Sequence, residues 1–141
     1  MKLIILNKKA FGLKAAKTAK AMGIGEIAFL DDDVKADDVL DGCHNFVLYL
    51  DDDTCFYPAY EDDALRMEWM NRIMAFGGNL ASLIHPAATI GEGTRIIGGA
   101  FIDAGVRVGQ KVTIKTGAVL QEGAVIPDGV TVEKGTTAAK R

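Results

Sequence analysis

The stretch IHPAATIGEGTRIIGGAFIDAGVRVGQKVTIKTGAVLQEGAVIPDGVTVEKGTT, residues 84–137, decides the fold of this chain. A large aliphatic side chain recurs in it at every sixth residue without a break, which makes nine hexapeptides. The positions are Ile84, Ile90, Ile96, Ile102, Val108, Ile114, Leu120, Ile126 and Val132. An amphipathic helix would repeat about every 3.6 residues, so this period excludes one. Instead it predicts a solenoid whose successive coils stack these side chains into a continuous apolar column.

The residue four places after each aliphatic position is small or β-branched, as at Ala88, Val106 and Ala124. Glycine often precedes it, at Gly93, Gly105, Gly117, Gly123, Gly129 and Gly135. Glycine adopts positive φ without steric cost, so these positions suit a corner between two short strands. The sequence therefore predicts a parallel β-helix that turns at each hexapeptide.

Composition limits the possible partners of the chain. Its 141 residues are 49% apolar and 25% charged, with a formal net charge of −3, as in a globular domain. Without a concentrated positive face, neither nucleic acid nor an anionic membrane is an expected partner. The apolar run at residues 3–6 is too short for a signal peptide or a membrane span. Cys43 and Cys55 have no CxxC spacing, so we expect reduced thiols in a cytoplasmic protein.

The first 80 residues follow a different pattern. Short apolar runs predict strands at residues 2–6, 26–30 and 45–50, and helix-favouring sequence predicts helices at residues 13–22 and 61–76. This alternation is typical of a small parallel α/β sheet, Rossmann-like in style. We therefore expect two domains, a Rossmann-like subdomain over residues 1–80 and the β-helix over residues 81–141.

Three stretches together carry a family resemblance: FLDDD (residues 29–33), FVLYL (46–50) and LASLIHPAATIGEGTRI (80–96). In this order the chain resembles the bacterial sugar acetyltransferases that include sialic acid O-acetyltransferases and the N-acetyltransferases of UDP-linked 4-amino sugars. The resemblance implies a left-handed prism of about three coils. It also implies a homotrimer that binds a nucleotide sugar, a UDP-sugar by this likeness, at the N-terminal domain. Acetyl-CoA would bind along the prism, in the biosynthesis of surface glycans.

The resemblance also implies substrate-binding residues at the carboxyl edge of the sheet. In the turn after the first strand it points to Lys8, Phe11 and Gly12, and after the second strand to Asp31 and Asp32. The two lysines of this turn, at positions 8 and 9, could hold phosphates or could simply be solvated. We also expect residues 51–53, three aspartates, to follow the third strand at the same edge. A metal site among these carboxylates is conceivable, but solvated loop caps are the favoured interpretation, so no metal is expected.

The catalytic position departs from the family pattern. Where the family has a histidine followed by an acidic residue, this chain reads KTGAVLQEG, with Glu122 at the histidine position and Gly123 after it. Glu122 could act as the base if desolvation raised its pKa, but a solvated glutamate is the other interpretation. The resemblance also implies that Lys115, Thr116 and Gly117 contact the cofactor, acetyl-CoA. The two histidines, His44 and His85, are not at the family position, and we expect His85 to be structural.

Two functional hypotheses follow. The first is an acyl-CoA-dependent acetyltransferase acting on a nucleotide-linked sugar, with Glu122 or a nearby group in place of histidine. The second is a non-catalytic trimeric binding or scaffold relative that keeps the fold. Three departures from the family pattern motivate it: the base is missing, the glycine-rich turn after the first strand is altered, and the prism is short. A weaker possibility is that the chain is a truncated form.

Overall fold

The computed structural model describes residues 1–139, which form two compact units. The first unit comprises Met1–Ala81, and the second begins at Ser82. Each unit has its own apolar core. Among the described residues, no helix is long and apolar enough to cross a membrane.

The N-terminal unit is a five-stranded parallel sheet with two α-helices. Its elements are β1 (Lys2–Leu6), α1 (Ala10–Ala21), β2 (Glu26–Leu30), β3 (Val39–Asp41), a 3₁₀ helix (Cys43–Tyr49), β4 (Thr54–Pro58), α2 (Asp63–Ala75) and β5 (Asn79–Leu80). The strand order is β3-β2-β1-β4-β5. Strand β1 is central, and its residues 3–6 are all fully buried, as expected for a parallel strand covered on both faces. The predicted strands at residues 2–6 and 26–30 are confirmed.

The strand predicted at residues 45–50 is wrong. Residues 45–49 lie in the 3₁₀ helix, with Phe46 buried and Leu48 70% exposed. A short apolar run cannot be assigned to strand or helix by periodicity alone, and this run does not bury enough of its side chains for a sheet interior. The strand that pairs with β1 on the side opposite β2 is β4, where Phe56 and Tyr57 are fully buried.

This correction moves the second acidic run to the other edge of the sheet. Residues 51–53 precede β4 instead of following a strand. The carbonyl of Asp53 accepts a hydrogen bond from the Lys2 amide at 2.9 Å, and its carboxylate lies 3.5 Å from the N-terminal amine. Of the six aspartates at residues 31–33 and 51–53, only the first three lie at the carboxyl edge, so the two acidic runs do not share a crevice.

The two helices begin and end where local chemistry allows. Helix α1 begins at Ala10, three residues before the predicted start. Helix α2 is capped by the Asp62 carboxylate, which accepts a hydrogen bond from the Leu65 amide at 2.8 Å. It ends at Ala75 and is followed by Gly77, whose φ of +82° is readily adopted by glycine, and the Gly78 amide donates to the Ile73 carbonyl.

The second unit consists of short parallel strands in three sheets. Within the described residues these are ten two-residue strands, β6 to β15, at Leu83–Ile84, Thr89–Ile90, Arg95–Ile96, Phe101–Ile102, Arg107–Val108, Thr113–Ile114, Val119–Leu120, Val125–Ile126, Thr131–Val132 and Thr137–Ala138. The sheets have the orders β13-β10-β7, β14-β11-β8 and β15-β12-β9-β6. Every strand thus pairs with the strand three hexapeptides away, which fits the predicted left-handed parallel β-helix of about three coils.

The inward column and the corners match the hexapeptide pattern. Six of the nine aliphatic positions are buried, from Ile102 onward, and Ile84, Ile90 and Ile96 are partly buried against them. All six corner glycines named above have positive φ, as does Gly99. Lys111 takes the equivalent corner with a φ of 54°, unusual for a residue with a side chain.

Candidate functional site

The carboxyl edge of the parallel sheet brings together segments that are far apart in sequence. The turn at residues 7–9 follows β1, the acidic loop at residues 31–38 follows β2, Cys43 follows β3, and Tyr60 follows β4. Ligands of open α/β sheets bind at this edge, beyond the ends of the strands. We therefore consider it the candidate substrate site of the N-terminal unit.

Asp31 holds two of these segments together. Its side chain is 2% exposed and accepts backbone hydrogen bonds from Lys8 at 2.7 Å, and from Asp33 and Val34 at 2.8 Å each. The Lys9 ammonium lies 3.0 Å from the same carboxylate. Burial alone would raise the pKa of Asp31, but these hydrogen bonds favour the charged form more strongly and lower the pKa to about 2. Asp31 is therefore an ionised anchor with its acceptors largely used.

The two lysines of the turn both have carboxylate partners. The Lys8 ammonium donates to Asp38 Oδ1 at 2.6 Å and lies 5.1 Å from the centre of the Phe29 ring. Lys9 contacts Asp31, and also lies 3.9 Å from Asp33. The turn thus carries two cations, each paired with a carboxylate.

Asp32 faces a cleft of about 360 Å³. Its Oδ1 accepts a hydrogen bond from the Cys43 amide at 2.9 Å, and the residue is otherwise exposed. The cleft is lined by Asp31, Asp32, Val34, Lys35, Ala36, Val39, Leu40, Asp41 and Gly42. The side-chain amide of Asn45 and the Gly42 amide donate to Asp41 and lower the pKa of that carboxyl. The lining of the cleft therefore combines a few apolar side chains with carboxylate acceptors.

Phe11 and Gly12 are structural parts of the turn. Phe11 is 8% exposed and meets the Tyr57 ring edge to face at 5.9 Å. A Cβ at Gly12 would overlap the carbonyl oxygen of Asn7, so only glycine allows helix α1 to start this close to the turn. Asn7 itself has a φ of 79°, and its side-chain amide donates to the Ala59 carbonyl at 3.1 Å.

The sequence did not indicate a polar and aromatic cluster at the same edge. The Tyr60 hydroxyl donates to the Cys43 thiol at 3.4 Å, and the Tyr60 ring stacks on Trp69 with centroids 6.0 Å apart. Burial raises the pKa of both Cys43 and Tyr60, so the thiol stays protonated and is a poor nucleophile. His44 packs against Trp69 at 5.0 Å. The only sequence signal for Cys43 and Tyr60 was their position just after strands, which required the correct strand assignment.

On the β-helix, the residue at the family histidine position is open to solvent. Glu122 is exposed and makes no hydrogen bond or ion pair among residues 1–139. The predicted cofactor residues are consecutive and contact the next coil: Lys115 pairs with Glu133 at 3.3 Å, and the Thr116 carbonyl accepts from the Gly135 amide at 3.0 Å. Gly117 is a buried corner with a φ of 79°.

His85 has a local structural contact. Its Nδ1 accepts a hydrogen bond from the Ala87 amide at 3.0 Å, which in the neutral imidazole places the proton on Nε2. A histidine in this state has no free lone pair with which to accept a substrate proton. This contact argues against His85 as a replacement for the missing family base. In the described part of the chain, no group of three or more histidine, cysteine or acidic residues could hold a metal ion.

These features define a class of protein: a hexapeptide-repeat β-helix preceded by a parallel α/β unit with a ligand-sized cleft at its sheet edge. Comparison with known proteins narrows this class. No protein-family model matches the chain, and no curated protein does. Among solved structures, PerB from Caulobacter crescentus, in complex with CoA and GDP-perosamine, matches 97% of the chain with a TM-score of 0.88 and 19% identity.

Two further structures have the same architecture. A GDP-perosamine N-acetyltransferase structure from Caulobacter crescentus matches 91% of the chain with a TM-score of 0.83 and 20% identity. The acetyltransferase domain of PglB from Neisseria gonorrhoeae, in complex with acetyl coenzyme A, matches 99% with a TM-score of 0.59 and 28% identity. Both of these structures are named as acetyltransferases, which agrees with the family that the sequence resembles. The chain spans 68%, 63% and 64% of the lengths of the three matched chains.

Proposed function

We propose that this protein is an acyl-CoA-dependent acetyltransferase that acts on a nucleotide-linked sugar. The observation that carries the proposal is the match to PerB, a structure in complex with both CoA and GDP-perosamine, which covers 97% of this chain. Both units of the chain are therefore included in the likeness. The alternative of a non-catalytic relative is not favoured, because the matched structures are acetyltransferases.

The nucleotide sugar would bind at the carboxyl edge of the N-terminal unit, in the Rossmann-like manner that its βαβ order suggests. In this proposal Asp32 accepts hydrogen bonds from ribose hydroxyls or base N–H groups, because it is exposed in the cleft. Asp31 positions the turn, Lys8 meets the phosphates, and Phe11 and Gly12 keep the turn close to helix α1. The nucleotide predicted from the sequence resemblance is UDP, and PerB is in complex with a GDP-linked sugar, so both nucleotides belong in the test.

Acetyl transfer requires a nucleophile, a leaving group and a proton acceptor. The sugar amine or hydroxyl attacks the thioester carbonyl, a C–N or C–O bond forms, and the C–S bond of acetyl-CoA breaks. Glu122 is the candidate acceptor for the proton lost by the nucleophile, and the proton passes on to the CoA thiolate. Lys115, Thr116 and Gly117 are the candidate contacts for acetyl-CoA, with the charge of Lys115 shared with Glu133.

Assembly and location complete the proposal. Four large apolar residues of the β-helix lie outside the inward column: Phe101 and Val119 are buried within the chain, whereas Ile97 is 41% and Val125 66% exposed. These two exposed side chains support a homotrimer in which a neighbouring subunit covers them. The two free thiols, Cys43 and Cys55, fit a cytoplasmic step in surface-glycan biosynthesis.

The test is release of CoA from acetyl-CoA in the presence of GDP-linked and UDP-linked amino sugars. We expect turnover with at least one of them, and a loss of a hundredfold or more in Glu122→Gln, the scale on which a general base contributes. Glu92→Gln is the matched control, since Glu92 is also an exposed glutamate of the β-helix. Unchanged turnover in Glu122→Gln would remove Glu122 from the mechanism. Binding of both ligands without turnover would favour the non-catalytic relative.

A further inference from the structure

The two lysines after β1 are held in different ways. Lys9 contacts Asp31, which is 2% exposed and already fixed by three backbone amides. Moving Lys9 away would leave a nearly buried carboxylate without its cation, which is costly. Lys9 is therefore a permanent part of the turn.

Lys8 has an exchangeable partner. Its ammonium pairs with Asp38, whose side chain is 48% exposed. Apart from this pair, the Asp38 carboxylate makes no hydrogen bond or ion pair in the described part of the chain. When Lys8 leaves, water can solvate Asp38, so the pair costs little to break. The Lys8 ammonium lies 5.1 Å from the centre of the Phe29 ring and the side chain is only 18% exposed, so the ammonium moves within a limited range.

The loop that supplies Asp38 is strongly acidic. Residues 31–38 contain five aspartates and one lysine. A diphosphate that approaches the turn meets these negative charges, and the charge of the Lys8 ammonium is already balanced by Asp38. The Asp38 carboxylate therefore competes with a phosphate for the same ammonium group.

We propose that Asp38 is a built-in competitor that weakens the binding of the nucleotide diphosphate, and that Lys8, not Lys9, is the lysine that changes partner. This inference rests on the proposed binding of a nucleotide sugar at the N-terminal unit. It assigns a specificity role to Asp38, whose backbone carbonyl accepts from the Phe29 amide and stays in place in Asp38→Asn.

The experiment is calorimetric titration of the full chain with GDP and with UDP. We expect Asp38→Asn to tighten binding roughly two- to fivefold, the range of an exposed ion pair. Lys8→Ala should weaken binding and also abolish the gain from Asp38→Asn in the double variant. Asp37→Asn is the matched control, because it removes the same charge from the same loop but has no ion pair among residues 1–139. Equal gains in Asp37→Asn and Asp38→Asn, or a gain that persists without Lys8, would overturn the inference.

A second measurement follows the lysines directly. NMR of the side-chain ammonium groups should show the Lys8 signal moving on addition of the nucleotide and in Asp38→Asn, while the Lys9 signal stays in place. If the nucleotide binds and Asp38→Asn does not change its affinity, the role of Asp38 as a competitor is refuted and the proposed function is unaffected. If neither the wild type nor Asp38→Asn binds a nucleotide, the competitor is also refuted, and turnover of acetyl-CoA then decides the proposed function separately.

Discussion

Replacing Ile114 with alanine should lower the free energy of unfolding of the β-helix by about 3–4 kcal/mol. Ile114 is fully buried in the middle of the inward column, and its strand pairs with those of Ile96 and Val132. The change removes three carbon atoms, worth about 2.4 kcal/mol at roughly 0.8 kcal/mol each. The remaining loss, about 1 kcal/mol, is the cavity, because coils on both sides limit the collapse of the site.

The assay is urea unfolding followed by far-UV circular dichroism, with Trp69 fluorescence as a separate report on the N-terminal unit. Trp69 is the single tryptophan of the chain and lies in the core of that unit. Ile97→Ala makes the same chemical change on a side chain that is 41% exposed, and we expect it to cost less than about 1 kcal/mol. A loss below 1 kcal/mol for Ile114→Ala, or equal losses for the two variants, would refute the inward column.

Two other predictions concern single residues. Asp31→Asn should remove about 2 kcal/mol of stability at pH 7, because the carboxyl has a folded pKa of about 2 and an unfolded pKa near 3.9. That stability is present above the unfolded pKa and is lost as the pH falls through the folded pKa. In thermal unfolding, the stabilities of wild type and variant should therefore converge between about pH 4 and pH 2. A difference in stability that stays constant with pH would contradict the role of Asp31 as an ionised anchor. Gly129→Ala should lower the free energy of unfolding by about 1–2 kcal/mol. The φ of Gly129 is +71° and the space beside it is open, so only backbone strain opposes the methyl group. Gly25→Ala, also in open space but without positive φ, is its control in the same denaturant titration and should be nearly neutral.

The β-helix could be predicted from the sequence because its pattern repeats. Each hexapeptide places one aliphatic side chain inward and one small residue near a corner, and nine repetitions exclude other periods. A departure from the pattern at one position, such as Lys111 at a corner where glycine is usual, does not change the predicted fold. The burial of Phe101 and Val119 could not be predicted, since outward positions of a β-helix have no period of their own.

The N-terminal unit was only partly predictable because its elements do not repeat. β1 and β2 are continuous apolar runs with a helix between them, and both were found. β4 was missed since Thr54–Pro58 contains a proline, which argues against a strand, while the more apolar stretch FVLYL drew the assignment. Because of this one error, the prediction placed residues 51–53 at the wrong edge of the sheet. It also missed the hydrogen bond between Cys43 and Tyr60.

The candidate site shows why the role of a residue in a family cannot be carried over to this chain when the charges of the neighbouring residues differ. Asp31 matches the family position for a nucleoside contact, yet here it accepts bonds from the backbone of its own loop and of the neighbouring turn, and from Lys9. The turn that is rich in glycine in the family carries two lysines in this chain, and a buried carboxylate beside them becomes their counter-ion. Asp32, one residue further, remains exposed and can meet a ligand. A matched residue therefore keeps its family role only when its neighbours keep their charge, which is the reason that Lys8 and Asp38 should be tested as a pair.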